Sequence, residues 1–315
     1  MMLSILYFGV GIALLWAGTE IVVRRIPRLA GWLRVSPLLL TILLVAIITS
    51  LPEFSVSLFA SLRGQPSAAV GNIVGSNFVT LTFVAGFCAL WRPIAVGRSI
   101  RLHEASWMIL SSTVLLLVSL DGRINRLDGA LLVAVYIPYF LHNLDDAKQQ
   151  RRNTPVNVAT ARPGLDILLF LVGIGMVIWG ADWIVNHGTA IAQRWGMSEL
   201  LIGVTFYSIG TSLPELAIAL GAILHRQSDV TLGEIYASNI FTGLVVVGVL
   251  CLIRPLPVEP IIVQRDLPML IGVGIVMQIF VTTGNRFVRS EGLAMIAIYA
   301  FFLYAQFTGL QFILP

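Results

Sequence analysis

The pentapeptide Thr-Ser-Leu-Pro-Glu occurs at 49–53 and again at 211–215, 162 residues later. Sliding the chain against itself by that interval aligns far more than five residues. Glu20 meets Asp182, Ser36 meets Ser198, Gly71 meets Gly233, Ser76-Asn77 meets Ser238-Asn239, and Glu104 meets Asp266. No gap is needed from about residue 9 to residue 108. A register held that long is an internal duplication, so the fold must be built from two related units.

Both copies sit in apolar surroundings. Hydrophobic residues make up 57% of the 315 and charged residues 11%, with a mean hydropathy of +0.90. A soluble domain carries roughly 25% charged residues. Apolar runs near the length of about 20 residues that a bilayer demands fall at 3–23, 36–62, 67–90, 105–119, 127–144, 164–185, 198–224, 229–252, 267–283 and 291–313. The polar stretch DDAKQQRRNTPVNVATARP separates the first five from the last five. The expected organisation is a five-helix repeat over 1–144, a linker over 145–163 and a second five-helix repeat over 164–315.

Five is odd, so the second unit enters the membrane from the opposite side. The predicted fold class is therefore an all-α membrane protein, ten transmembrane helices arranged as two inverted repeats. In secondary transporters of that architecture the binding site lies at the repeat interface near the midplane. Loops on the side of the linker carry 14 of the 20 Lys and Arg residues. The positive-inside rule then makes the linker cytoplasmic and both termini extracytoplasmic, in a multi-pass protein of the cell membrane. The net charge of +4 reflects this loop bias and implies no nucleic-acid partner. Cys88 and Cys251 lie in apolar surroundings without metal-site spacing.

Glu53 and Glu215 fall inside predicted spans 2 and 7. A carboxylate at membrane depth costs about 2.5–3.5 kcal/mol on insertion scales, so it marks a polar cavity unless a buried cation pairs with it. No arginine falls inside a predicted span. Pro52 and Pro214 have no N–H to give the carbonyls of Ile48 and Gly210, so each helix should break there. Thr49 and Glu53 share a helix face, as do Thr211 and Glu215. Carboxylate, hydroxyls and freed carbonyls at one depth suit hard cations such as calcium and sodium, which take oxygen ligands. The other repeated piece, AVGNIVGSNFVT paired with TLGEIYASNIFT, brings small residues for close helix packing, with Ser76, Ser238, Asn77 and Asn239 forming the other wall.

These paired strings resemble the two alpha-repeats of the calcium/cation antiporter superfamily, the sodium/calcium exchangers. The resemblance runs through all ten predicted spans. It implies a four-site diamond built by spans 2, 3, 7 and 8, across which spans 1 and 6 slide. The ligands it implies are Thr49, Ser50, Glu53 and Ser76 with Thr211, Ser212, Glu215 and Ser238. Four positions depart from the family pattern. Ile48 replaces the glycine before the first pentapeptide, which predicts a stiffer first kink. Thr80 and Thr242 replace an Asn and an Asp, and Glu234 replaces an asparagine. Glu234 either restores a carboxylate one turn away or sits at the solvated start of span 8.

The leading expectation is an antiporter that expels calcium in exchange for sodium. Cation/proton exchange and a cation channel are the alternatives. Glu20 is expected to pair with Arg24, Asp182 lies near a span end, and the four histidines fall in loops or at span ends. No zinc-protease, nucleophile-elbow or phosphate-loop motif occurs, so an enzyme is not expected. No cofactor is expected either. The partners are the lipid bilayer and the transported calcium and sodium ions, and a monomer suffices.

Overall fold

A computed structural model describes residues 2–32, 47–97, 103–151, 163–224, 228–283 and 286–310. The helices are α1 (Met2–Trp32), α2 (Ile47–Leu62), α3 (Pro66–Trp91), α4 (Ala105–Ser119), α5 (Arg126–Arg151), α6 (Pro163–Trp195), α7 (Glu199–Leu224), α8 (Thr231–Ile253), α9 (Ile262–Thr283) and α10 (Arg289–Thr308). Among the described residues eight are long and apolar enough to cross a membrane, while α2 and α4 are shorter apolar helices. Residues 36–46, the first part of predicted span 2, lie outside the described residues. The chain is an all-α membrane protein whose only described strands are four of two residues each.

Two helices differ markedly from their hydropathy. The first and sixth spans were expected to end near 23 and 185, yet α1 continues to Trp32 and α6 to Trp195. The apolar part of α1 ends at Ile21. Beyond it the backbone hydrogen bonds continue unbroken, and polar pairs such as Arg24–Glu20 at 2.5 Å occupy the exposed face. Hydropathy measures the lipid-facing length, whereas the helix stops only where its own hydrogen bonding stops.

Burial sorts the helices into a centre and a rim. In the apolar windows of α3 and α8, 83% and 78% of residues are buried, against 22% in α1 and 28% in α6. The rim helices turn large apolar side chains such as Leu6, Trp16, Leu171 and Trp179 outward, as lipid-facing surfaces require.

The duplication reappears as contacts in matched pairs. In the antiparallel pair α1·α6, Gly11 lies against Gly180 and Gly18 against Gly173. The same exchange links Gly86 of α3 to Gly292 of α10, and Gly248 of α8 to Gly129 of α5. Between the helices, β1 (Ile94–Ala95) pairs with β4 (Arg286–Phe287), and β2 (Arg123–Ile124) with β3 (Leu256–Pro257). Each ribbon joins one loop of the first half to one of the second. Ten spans would place the members of each ribbon on the same side of the membrane.

One buried ion pair corrects the expectation that no arginine lies within a span. Helix α9 starts at Ile262 and not at 267, so Arg265 and Asp266 form a buried pair in its first turn, 2.7 Å apart. Arg265 also donates to the carbonyls of Ala305 and Leu310, and Gln306 donates to Asp266. All of these partners lie at the C-terminal end of the chain, so this cation serves to fasten α10.

The glycine seam gives a test. A Cβ on Gly18 would meet the Gly173 carbonyl at 2.7 Å and Met176 at 2.8 Å. Gly18→Val is expected to lower stability by about 1–3 kcal/mol through overpacking, read as a lower Tm in detergent. Gly175→Ala, where nothing lies within 4 Å, should leave Tm unchanged or slightly raised.

Candidate cation site

The two proline-containing helices break where the sequence predicts, and they break alike. Ser50 (φ −82°, ψ 0°) and Ser212 (φ −84°, ψ 5°) leave helical geometry at matched positions, and the chain then resumes as Leu51–Leu62 and Leu213–Leu224. The side chain of Ile48, where the second repeat has Gly210, leaves the shape of the first break unchanged. Ile48 is itself buried, and the turn after it has the same shape as the turn after Gly210. A side chain before the break does not alter a turn dictated by the missing N–H of the proline.

Each break delivers a glutamate to the interior. Glu53 is 1% exposed and Glu215 2%. Both carboxylate oxygens of Glu53 and Oε2 of Glu215 are buried without a hydrogen-bond partner. Among the described residues no arginine or lysine forms an ion pair with either. The Thr211 hydroxyl stands beside the Glu53 carboxyl, so the two halves meet there. Thr49, Ser50, Thr211 and Ser212 are buried in the same turns, and the Ser212 hydroxyl oxygen has no partner.

The second wall comes from the middles of α3 and α8. Ser76 donates to Ile73 O and Ser238 to Ile235 O, both at 3.1 Å. Each hydroxyl spends its proton on its own helix and keeps oxygen lone pairs for another partner. At Thr80 and Thr242 both helices widen into a π turn, Thr80–Val84 and Thr242–Val246. Single π turns inside α-helices recur at functional sites.

There the halves are tied by side-chain amides. Thr242 donates to Asn77 Oδ1 at 2.5 Å, and Asn239 Nδ2 donates to Thr80 Oγ1 at 2.7 Å. Asn77 Nδ2 reaches Asn239 O at 3.4 Å, across the 162-residue repeat itself. Asn239 Oδ1 remains buried without a partner. Sequence reasoning named Asn77, Asn239, Thr80 and Thr242 as parts of the wall. That they join one repeat to the other could not be read from spacing along a single helix.

Glu234 is buried beside the candidate site and away from solvent. It is 7% exposed, both carboxylate oxygens are buried without a hydrogen-bond partner, and the Thr49 hydroxyl faces it. Its repeat counterpart, Asn72, was missed from sequence. Asn72 Nδ2 donates to Ser57 Oγ at 2.9 Å and to the Glu53 carbonyl at 3.3 Å, and its Oδ1 accepts from Thr211 at 3.3 Å. The available signal was its alignment with Glu234 under the repeat.

Asp182, read from sequence only as a residue near a span end, pairs with Arg63 in the turn between α2 and α3. Gln65 in that turn exchanges hydrogen bonds with Thr189 of α6 at 2.8 and 3.0 Å. On the α1 side, the counterpart Glu20 is paired within its own helix.

Comparison with known proteins agrees with this architecture. The family profile described as "Sodium/calcium exchanger protein" matches residues 3–144 and 165–308. An inner membrane protein of Escherichia coli, YrbG, is 33% identical over 251 residues, 77% of this chain and 77% of its own. The sodium/calcium exchanger MaX1 of Methanosarcina acetivorans is 25% identical over 341 residues, covering 94% of this chain and 96% of its own. Among solved structures, the sodium-calcium exchanger NCX_Mj soaked with sodium and strontium superposes with a TM-score of 0.71 at 26% identity. The superposition covers 96% of this chain and 99% of that one.

The amide ties predict a measurable asymmetry. Thr242→Val strips Asn77 Oδ1 of its donor, and leaving a buried acceptor unmet costs about 1–3 kcal/mol. Thr80→Val should cost less, because Asn239 Nδ2 keeps its bond to Ile235 O at 2.7 Å. Thermal unfolding of both variants in detergent checks the order.

Proposed function

Since this chain belongs to the sodium/calcium exchanger family, and is thereby a cation antiporter that works without a cofactor, we propose that it exports calcium in exchange for sodium by alternating access. The observation that carries this reading is the pair Glu53 and Glu215. They are related by the repeat, buried at helix breaks, and left without protein cations among the described residues. Two carboxylates match a divalent ion in charge. Buried hydroxyls of Thr49, Ser50, Thr211, Ser212, Ser76 and Ser238, with the carbonyls at Ile48 and Gly210, can supply the remaining oxygens of a cage of six to eight.

The same charges explain exchange in place of leak. Closing protein around bare carboxylates strands uncompensated charge in a low-dielectric interior, at a cost of several kcal/mol per ion. Closing it around carboxylates neutralised by cations avoids that cost. The carrier therefore crosses between its two faces only when loaded, so export of one ion requires entry of another. The α1·α6 pair, at the rim and packed through its own glycine seam, is the element proposed to move. The linker 145–163 is assigned to the cytoplasm and both termini to the outside, on the arginine and lysine bias of the loops.

A cation/proton exchanger is the second reading. It draws on Thr80 and Thr242, whose hydroxyls are engaged with asparagines and bring no charge. Radioactive calcium uptake into vesicles holding the purified protein separates the two. Uptake driven by internal sodium, and not by internal potassium or a pH jump, supports sodium coupling. Drive by the pH jump alone overturns it. Steady calcium current with no counter-cation would indicate a channel.

Two expectations follow. Glu53→Gln and Glu215→Gln should each bring calcium exchange below detection, with a ligand-free Tm equal to or above that of the unmodified protein, since an unpaired buried charge is removed. Stabilisation by calcium, about 2.7 kcal/mol at a hundredfold excess over Kd, should vanish with it. Alkaline phosphatase fused after residue 150 should be inactive in bacteria, and the same enzyme fused at the C-terminus active.

A further inference from the structure

Where the two halves of the site are least alike, the first half is clamped. Asn72 of α3 is buried, and its amide reaches two other helices. Nδ2 donates to Ser57 Oγ at 2.9 Å and to the Glu53 carbonyl at 3.3 Å, both on α2. Oδ1 accepts from the Thr211 hydroxyl of α7 at 3.3 Å. Ser57 in turn donates to Ala69 O at 3.1 Å, which returns the network to α3. The backbone around Asn72 is held as closely as its side chain. A Cβ on Gly71 would meet Leu200 O at 2.9 Å, and one on Gly75 would meet Val204 O at 2.7 Å. One on Gly203 of α7 would meet Asn72 N itself at 2.9 Å. Three glycines thus seat α3 against α7 around this one residue. At the matching place in the second half neither donor bond can form. Glu234 has no side-chain N–H, and the buried Ala219 stands where the first half has Ser57.

Resting on the antiport reading above, we infer that Asn72 is a positioning residue that sets which size of divalent cation the site accepts. It touches no ion in this role and acts through two residues that do. One planar amide joins the backbone of Glu53, from the first repeat, to the side chain of Thr211, from the second. The spacing of two proposed ligands from opposite halves is therefore held by a single side chain. The Thr211 hydroxyl has one hydrogen and three acceptors around it: Asn72 Oδ1, Ser208 O at 3.3 Å, and the Glu53 carboxyl beside it. With a cation on Glu53 that hydrogen has to turn from the carboxylate. Asn72 Oδ1 and Ser208 O are the acceptors left to it, and the Thr211 lone pairs then face the ion. Groups that orient ligands in this way tune what the ligands bind. Oxygen ligands hold calcium at about 2.3–2.6 Å, and cavity size and flexibility decide between ions of equal charge. Barium is larger and needs its ligands further apart. A cage pinned between Glu53 and Thr211 resists that expansion.

The test uses the purified full-length protein in detergent at fixed pH, in a sodium-free N-methylglucamine buffer. Radioactive calcium reports binding, and unlabelled calcium or barium displaces it. The quantity read is the ratio of the two affinities, with Tm measured beside it. The unmodified protein is expected to favour calcium over barium. Asn72→Leu, similar in shape and without hydrogen bonds, should lower that ratio several-fold by admitting barium, and Asn72→Ala should do the same. Ser57→Ala copies the residue at 219 and spares the bonds to Glu53 and Thr211, so it should lower the ratio in the same direction but less. A ratio unchanged in every variant that folds would overturn the inference, even with Tm or calcium affinity reduced, because Asn72 would then only hold helices together. So would an unmodified protein that binds calcium and barium alike, a result independent of any variant. Neither of those outcomes touches the antiport reading. Absence of calcium binding to the unmodified protein would overturn that reading, and this inference with it.

Discussion

A carboxylate that has left water and found no cation among the described residues governs this molecule. The bilayer offers no solvent to compensate it, so the helices around Glu53 and Glu215 enclose a candidate site that, in the antiport reading, is electrostatically complete only when loaded. The other features of the centre follow. Each glutamate needs a helix that breaks at its depth, and a proline one residue earlier provides the break. Each break needs neighbours close enough to shelter its backbone. Small residues on α3 allow this, with Gly71 and Gly75 lying against Leu200 and Val204 of α7. The most buried helices, α3 and α8, are those forming the second wall.

Where the repeats agree they build the proposed cage, and where they disagree they make its two halves unlike. Ser50 and Ser212, Ser76 and Ser238, and the two π turns are near copies. Asn72 and Glu234 are not, nor are Ser57 and Ala219. The ties at the edges differ as well. Asp182 on α6 is held by Arg63, whereas Glu20 on α1 is paired with its own helix. In an inverted repeat such differences distinguish one side of the membrane from the other, since a perfectly symmetric carrier would treat both faces alike.

Much of the candidate site was legible in the sequence because its signal is local. A pentapeptide that combines a helix breaker with a charge, twice at one offset, allows few meanings in an apolar run. The serines and asparagines of the second wall followed from the same offset. What escaped was long-range. Asn72 takes its partners from helices far apart in sequence, so nothing near it distinguishes it from a packing residue. Glu234 stands near the start of α8, where a solvated and a buried position read identically until the neighbouring helices are placed. The depth of Arg265 depended on where α9 starts, which hydropathy misjudged because the arginine's charge is matched by groups at the far end of the chain. The lengths of α1 and α6 escaped for the opposite reason, since a helix outside lipid has no need to be apolar.

The crossed pairings of the two halves bear on how such a chain could arise. Helix α3 is closed by α7 and α10, α8 by α5, and each two-stranded ribbon joins a loop of one half to a loop of the other. A half on its own would expose the surfaces that its twin covers, the faces holding Gly86, Gly129, Gly248 and Gly292 among them. An ancestral half-length chain would therefore have worked as two copies inserted in opposite senses, each completing the other. Fusing them into one chain freed the two copies to diverge, and only after that step could one half hold an amide where the other holds an acid.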